Sequence, residues 1–112
     1  MLGTTAIDPI LERFREALIE LYGPALDRVV LFGSRARGDT KEDSDYDIAV
    51  FLKDTGERAT GNLWAEWDRL ADLRVRFLDA DGPFIEAIPF RASDYTRRTP
   101  LMHEIRKDGV TL

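Results

Sequence analysis

The chain has 112 residues, with 21 acidic and 16 basic side chains and a formal net charge of −5. This length is typical of one domain with a single core, so we treat residues 1–112 as one domain and residues 1–6 as a flexible tail. The negative charge argues against an extended nucleic-acid interface and hence against a template-reading polymerase.

The chain contains no cysteine, which excludes a disulfide framework and thiolate zinc sites. No apolar run reaches the ~20 residues of a membrane span, and the N-terminus lacks a basic-then-apolar signal pattern. We therefore expect a cytoplasmic protein with no membrane association.

The first predicted element is a helix over residues 9–22. Asp8 and Pro9 are typical of a helix start, with the aspartate as cap. Gly23 and Pro24 would end the helix. Apolar residues recur at three- and four-residue steps, which predicts a core-facing stripe of Ile10, Leu11, Phe14, Ala17, Leu18 and Leu21.

A short strand is predicted at residues 28–32, buried on both faces because its apolar residues do not alternate with polar ones. Gly33 then allows a sharp turn or a close approach of the backbone to a ligand. Ser34 could cap a following helical turn or donate its hydroxyl to a phosphate oxygen. Exposed amides at a strand-to-helix turn form an anion pocket.

Two arginines follow this turn. We expect Arg35 and Arg37 to lie in a short helical turn that Gly38 ends. They are either ordinary surface cations or contacts of a nucleoside triphosphate, because the planar guanidinium is suited to binding phosphate groups.

A second strand is predicted at residues 45–51, with Asp45 and Asp47 at its head. Residues two apart in a strand share a face, so their carboxylates could close on a shared pair of magnesium ions. Taken singly, Asp45 could be a strand-start cap and Asp47 a structural hydrogen-bonding group. Because Asp45 and Asp47 follow the predicted phosphate turn at Gly33 and Ser34, we interpret them together as metal ligands.

The spacing of Gly33-Ser34, Gly38 and Ser44-Asp45-Tyr46-Asp47 resembles the nucleotidyltransferase superfamily that includes DNA polymerase β. Within it, the chain is most similar to the minimal nucleotidyltransferases, antitoxins commonly encoded beside a HEPN-domain partner. The resemblance implies an α/β (α+β) fold, with a small mixed β-sheet and helices packed on it.

A second long helix is predicted over residues 62–78. Its predicted core stripe is Leu63, Trp67, Leu70 and Phe77, with Trp64, Ala71, Val75 and Leu78 beside it. We interpret the tryptophans as core or interface residues. Residues 74–77 alternate and could also form a strand.

A third strand is predicted at residues 84–90, and Pro89 indicates an edge position or a strand end. Phe84, Glu86, Ile88 and Phe90 would share one face. The resemblance implies a third carboxylate from such a strand, for which Glu86 is the candidate. The alternative is an edge-strand glutamate turned to solvent.

The C-terminal part predicts a cap at Ser93-Asp94 and a last helix that begins at Thr99-Pro100 and ends at Asp108-Gly109. Residues 110–112 would add a short strand or dock as a tail. His103, the sole histidine, is expected on the surface or in packing.

Together these patterns predict magnesium-dependent nucleotidyl transfer. Two Mg²⁺ ions would be held by Asp45 and Asp47, joined by Glu86 if it is the third carboxylate that the resemblance implies. The triphosphate would be held by Gly33 and Ser34, with Arg35 and Arg37 as the candidate cations. The resemblance implies ATP as donor and a tyrosine of a HEPN toxin as acceptor. Two alternatives remain, an antitoxin that acts by binding alone and a small-molecule nucleotidyltransferase completed by a helical subunit. The sequence leaves open whether the protein forms an oligomer.

Overall fold

The computed structural model describes residues 9–33, 36, 45–53, 63–77 and 84–112. These residues form three α-helices and four strands, with 3₁₀ turns at Gly23–Ala25 and Ala92–Thr96. In chain order the elements are α1 (Pro9–Tyr22), β1 (Leu26–Phe32), β2 (Tyr46–Leu52), α2 (Leu63–Val75), β3 (Ile85–Arg91), α3 (Pro100–Asp108) and β4 (Val110–Thr111).

The strands form one mixed sheet in the order β3-β2-β1-β4. β1 is antiparallel to both β2 and β4, whereas β2 and β3 are parallel. The mixed sheet with packed helices confirms the predicted fold class. The two central strands are those predicted from uninterrupted apolar runs, and β3 lies at an edge, as Pro89 indicated.

Both faces of the sheet are covered. On one face, alternate residues of the central strands, including Val29 and Ile48, pack with Phe14 and Leu18 of α1. On the other face, Phe32 and its neighbours pack with Met102 and Ile105 of α3. Two-sided burial explains the uninterrupted apolar runs at residues 29–32 of β1 and 48–52 of β2.

The predicted helix at residues 9–22 is confirmed in its bounds. Its stripe is confirmed at Leu11, Phe14 and Leu18, but Leu21 is exposed and Tyr22 is buried instead. The last residue of the helix therefore faces the core cluster that α1 covers.

The predicted packed face of α2 is confirmed at Leu70 but wrong at Trp67. Its buried residues are Glu66, Leu70 and Leu73, whereas Trp64 is 81% exposed and Trp67 and Val75 are also exposed. Positions 66, 70 and 73 follow a four-then-three spacing that defines the packed face. The tryptophans lie outside this face, so their predicted core role is wrong, while a contact with another molecule stays a prediction.

The end of α2 also differs from the prediction. The helix ends at Val75, and Arg76 and Phe77 form a turn rather than a last helical turn or a strand. Phe77 still reaches the core, where its ring meets that of Phe14 edge-on at 5.3 Å.

Glu66 is the buried acid that the apolar pattern did not reveal. Its carboxylate lies 3.5 Å from Nη1 of Arg69, which offsets the charge. Burial raises the pKa of the nearby Tyr22 hydroxyl, and the Glu66 carboxylate raises it further. No hydrogen-bond partner for this hydroxyl is found in the part of the chain that the structure describes.

The C-terminal predictions are confirmed. The Asp94 carboxylate accepts a hydrogen bond from the Arg91 backbone amide at 3.2 Å and so caps the 3₁₀ turn. Thr99 Oγ1 likewise accepts from the Met102 amide at 3.2 Å at the start of α3. His103 is exposed, and β4 pairs with β1.

No helix within the described ranges has the length and apolar character needed to cross a membrane.

Phe32→Ala should lower the free energy of unfolding by about 3–5 kcal/mol, because Phe32 is 6% exposed on a central strand. Urea denaturation measures this difference. Phe84→Ala is the matched control, since Phe84 is 58% exposed and should cost only about 0.5 kcal/mol. Equal losses in the two variants would contradict the sheet arrangement.

Candidate active site

The candidate site lies where β1 ends and β2 begins. Because the two central strands are antiparallel, the end of β1 lies beside the start of β2, and Phe32 pairs with Asp47. Gly33 directly follows Phe32 and Asp45 directly precedes β2. The sheet therefore brings together the predicted phosphate turn and the predicted metal-binding acids.

Gly33 is packed against the Asp47 carboxyl group. Its φ is +78°, in the left-handed region that favours glycine. A Cβ atom at this position would lie 3.3 Å from Asp47 Cγ and closer still to Asp47 Oδ2. Only a residue without a side chain allows this close approach.

Ala36 is the next described residue after Gly33. The Ala36 amide donates a hydrogen bond to the Gly33 carbonyl at 3.1 Å, and Ala36 itself is helical. This agrees with the predicted strand-to-helix turn. Ser34, Arg35 and Arg37 lie outside the described residues, so their roles stay predictions.

The two aspartates differ in exposure. Asp45 is exposed just before β2, whereas Asp47 is half-buried within it. Tyr46 between them is buried with the core of the opposite face, and its amide donates to the Phe84 carbonyl at 2.9 Å. This hydrogen bond fixes the start of β2 between Asp45 and Asp47. The strand begins one residue later than predicted.

Glu86 lies beside Asp47 on the neighbouring strand. The two residues are register partners in the parallel pair of β2 and β3, and such partners point to the same face. Glu86 Oε2 is also 2.7 Å from Nη1 of Arg74, at the end of α2. Glu86 is thus both adjacent to the acids and on an exposed edge, which combines features of both predicted alternatives.

Sequence reasoning missed Arg74. Its Nη1 also donates to the Ile85 carbonyl at 3.4 Å, so it contacts β3 at two points. A lone arginine twelve residues from its partner gives no signal in the sequence. Its proximity to the acids depends on how α2 packs against β3.

The donor set fits magnesium. Carboxylate oxygens are the ligands this hard cation prefers, and it is commonly bound by one or two of them plus substrate phosphates. Asp45 and Asp47 supply such a pair. Across the described residues, however, no three His, Cys, Asp or Glu side chains are grouped closely enough to hold a metal ion. Two protein carboxylates completed by a substrate fit better than a closed protein cage.

Comparison with known proteins adds to this geometry. Residues 11–105 match the model of the family described as nucleotidyltransferase domain. Two proteins of Methanocaldococcus jannaschii, both named "Putative protein adenylyltransferase", are similar to the chain. One is 42% identical over 45 residues, which are 40% of this chain and 46% of the relative. The other is 33% identical over 78 residues, which are 70% of this chain and 67% of the relative.

The chain therefore spans less than half the length of the first of these relatives. A solved structure described as a toxin-antitoxin with AMP-PNP is similar in fold. It has a TM-score of 0.57 and 23% identity, over 89% of this chain and 70% of the other.

Gly33→Ala should displace the Asp47 carboxylate, because the added methyl group would occupy its place. The ¹³C chemical shift of the Asp47 carboxyl carbon measures this displacement. Gly23→Ala is the matched control. Gly23 also has a positive φ, of 52°, but a Cβ there meets nothing within 4 Å.

Both variants should lose about 1–2 kcal/mol of stability from the strained backbone, but only Gly33→Ala should shift the Asp47 resonance. An unchanged Asp47 resonance in Gly33→Ala, or the same shift in both variants, would show that Gly33 and Asp47 are not in contact.

Proposed function

Since the chain belongs to the nucleotidyltransferase domain family, we propose that it is a magnesium-dependent enzyme that transfers AMP from ATP to a hydroxyl group. The acceptor is a tyrosine of a partner HEPN toxin, and the chain acts as its antitoxin. The single observation that carries the proposal is the Gly33 turn packed against Asp47, with Asp45 two residues away.

In this proposal Asp45 and Asp47 hold two Mg²⁺ ions, with Glu86 as the candidate third ligand. When bound, the ions lower the pKa of the attacking hydroxyl and offset the negative charge of the triphosphate. The Gly33 turn and Ser34 orient the β- and γ-phosphates, and Arg35 and Arg37 offset their charge. The assignments of Ser34, Arg35 and Arg37 rest on their positions in the sequence.

The reaction is a displacement at the α-phosphorus of ATP. The acceptor oxygen forms a bond to phosphorus, the bond to the oxygen bridging the α- and β-phosphates breaks, and pyrophosphate leaves. The hydroxyl proton passes to water, which reaches the exposed Asp45. No nucleophilic side chain of the chain itself is needed, because orientation and charge neutralisation supply the catalysis.

A protein acceptor is supported by the openness of the site and by the relatives. Asp45 is exposed and Glu86 lies on an edge strand, so a side chain of another protein can approach. Two relatives carry the name protein adenylyltransferase, and the similar solved structure is a toxin-antitoxin with AMP-PNP. These support ATP as donor and a toxin as acceptor.

A second function, an antitoxin that acts by binding alone, is favoured by one observation. Glu86 is ion-paired with Arg74, so the third carboxylate is engaged elsewhere. A site with only two available metal ligands is compatible with a protein that acts by binding its partner and not by catalysis. The two functions make opposite predictions for the aspartates.

Asp47→Asn should lower AMP transfer at least about a hundredfold, because it removes a negative charge that balances the metal ions. The measurement uses ATP labelled at the α-phosphorus and the co-expressed product of the adjacent gene, followed by mass spectrometry for added AMP. Asp27→Asn is the matched control. Asp27 is an exposed acid that is ion-paired with Arg28. It lies at the start of β1, whereas the site lies at the end of β1, so the substitution should leave transfer unchanged.

If Asp47→Asn still neutralises the toxin, and the wild-type protein transfers no label to the toxin, the binding-only function replaces the enzymatic one. Label on an added antibiotic or sugar, with none on protein, would instead indicate a small-molecule nucleotidyltransferase.

A further inference from the structure

The ion pair between Arg74 and Glu86 links the end of α2 to the edge of the candidate site. Nη1 of Arg74 lies 2.7 Å from Oε2 of Glu86 and also donates to the Ile85 carbonyl at 3.4 Å. The guanidinium is thereby positioned by one backbone and one side-chain contact. It binds the acid that is in register with Asp47.

Glu86 is close enough to Asp47 to share its ligands. Neighbouring strands lie about 4.8 Å apart, and register partners project from the same face. The described acids nevertheless form no three-ligand group. The ion pair with Arg74 holds one Glu86 oxygen on a cation that is not part of the pair of aspartates.

The ion pair is weak enough to be exchanged. The Arg74 and Glu86 side chains are 38% and 48% exposed, and exposed pairs contribute little because water and salt screen them. A divalent cation already held by two carboxylates can therefore compete with Arg74 for Glu86.

We propose that Arg74 is a positioning residue that withholds Glu86 from the metal site. With the ion pair formed, the protein offers the two carboxylates of Asp45 and Asp47. With the ion pair broken, Glu86 joins them as a third ligand. This inference rests on the proposed function for the existence of the metal site, and it adds a competition between a cation of the protein and a bound metal for one carboxylate.

Mn²⁺ binding to the full chain, without nucleotide or partner, tests the competition directly. Mn²⁺ prefers the same oxygen ligands as Mg²⁺ and is counted by electron paramagnetic resonance. Arg74→Met keeps most of the side-chain length but removes the charge. It should bind Mn²⁺ between about twofold and fivefold more tightly, the range expected for loss of an exposed ion pair.

The double variant separates release of Glu86 from a general charge effect. In Arg74→Met with Glu86→Gln, the gain in Mn²⁺ affinity should disappear, because no third carboxylate is left to release. Glu86→Gln alone should change the affinity by less than the gain seen in Arg74→Met. Arg74→Lys, which can still pair with Glu86, should bind Mn²⁺ like the wild type.

Arg76→Met is the matched charge control. Arg76 follows Arg74 by two residues, is exposed, and lines surface recesses together with Leu21 and Glu20 of α1. The Arg76→Met substitution removes one positive charge next to the C-terminal end of α2 but leaves the ion pair between Arg74 and Glu86 in place. Its Mn²⁺ affinity should stay close to that of the wild type.

Three results would overturn the inference: unchanged or weaker binding in Arg74→Met, an equal gain in Arg76→Met, or a gain that persists when Glu86 is glutamine. Asp47→Asn tests the underlying site separately. If Asp47→Asn leaves Mn²⁺ binding intact, the proposed metal site fails. If Asp47→Asn abolishes binding while Arg74→Met has no effect, the role of Arg74 alone fails.

Discussion

The antiparallel pairing of β1 with β2 is the interaction on which the candidate site depends. It sets Phe32 opposite Asp47, and so brings the residue after Phe32 against the Asp47 carboxylate. The positive φ of Gly33 and the space its missing side chain leaves are two separate demands at one position. A left-handed residue with a side chain would meet the first demand and violate the second, since the carboxylate occupies the place of the Cβ atom.

Burial on both faces of the sheet keeps this pairing in register. A slip of one residue would turn the shifted strand over and exchange its side chains that face α1 with those that face α3. Both sets are apolar, but they are shaped for different partners. On the α3 face, the Phe51 ring stacks with Phe90 at 5.4 Å and meets Tyr95 edge-on at 5.3 Å. The position of the Asp47 carboxylate is thus held by contacts of residues several positions away.

The parts predicted well are those in which local pattern and tertiary environment agree. Both central strands were predicted to within two residues because two-sided burial leaves an uninterrupted apolar run. The last helix was predicted from Thr99 and Pro100 because the cap is local chemistry that the fold does not alter. Gly33 and the two aspartates were identified because their spacing carries a resemblance.

The packed face of α2 was predicted only in part because apolar residues occur on more than one side of this helix. Hydrophobicity alone then leaves its rotation undetermined, and the large tryptophans favoured the wrong side. The packed face includes Glu66, whose burial depends on Arg69 within the helix and is not visible as an apolar position. Arg74 was missed for a related reason, since its contact with Glu86 exists only once the helix has its observed rotation and packs beside β3.

The three acids proposed for the site are carried by strands in different positions of the sheet. Asp47 is carried by a central strand that is hydrogen-bonded on both sides, and Asp45 directly precedes that strand. Glu86 is carried by an edge strand, where a helix can reach its side chain with a cation from the open side. A central position would have been closed to Arg74 by the next strand. In the proposed site, the sheet order therefore leaves Glu86 open to a cation of α2, whereas Asp47 lies on a strand with a neighbour on each side.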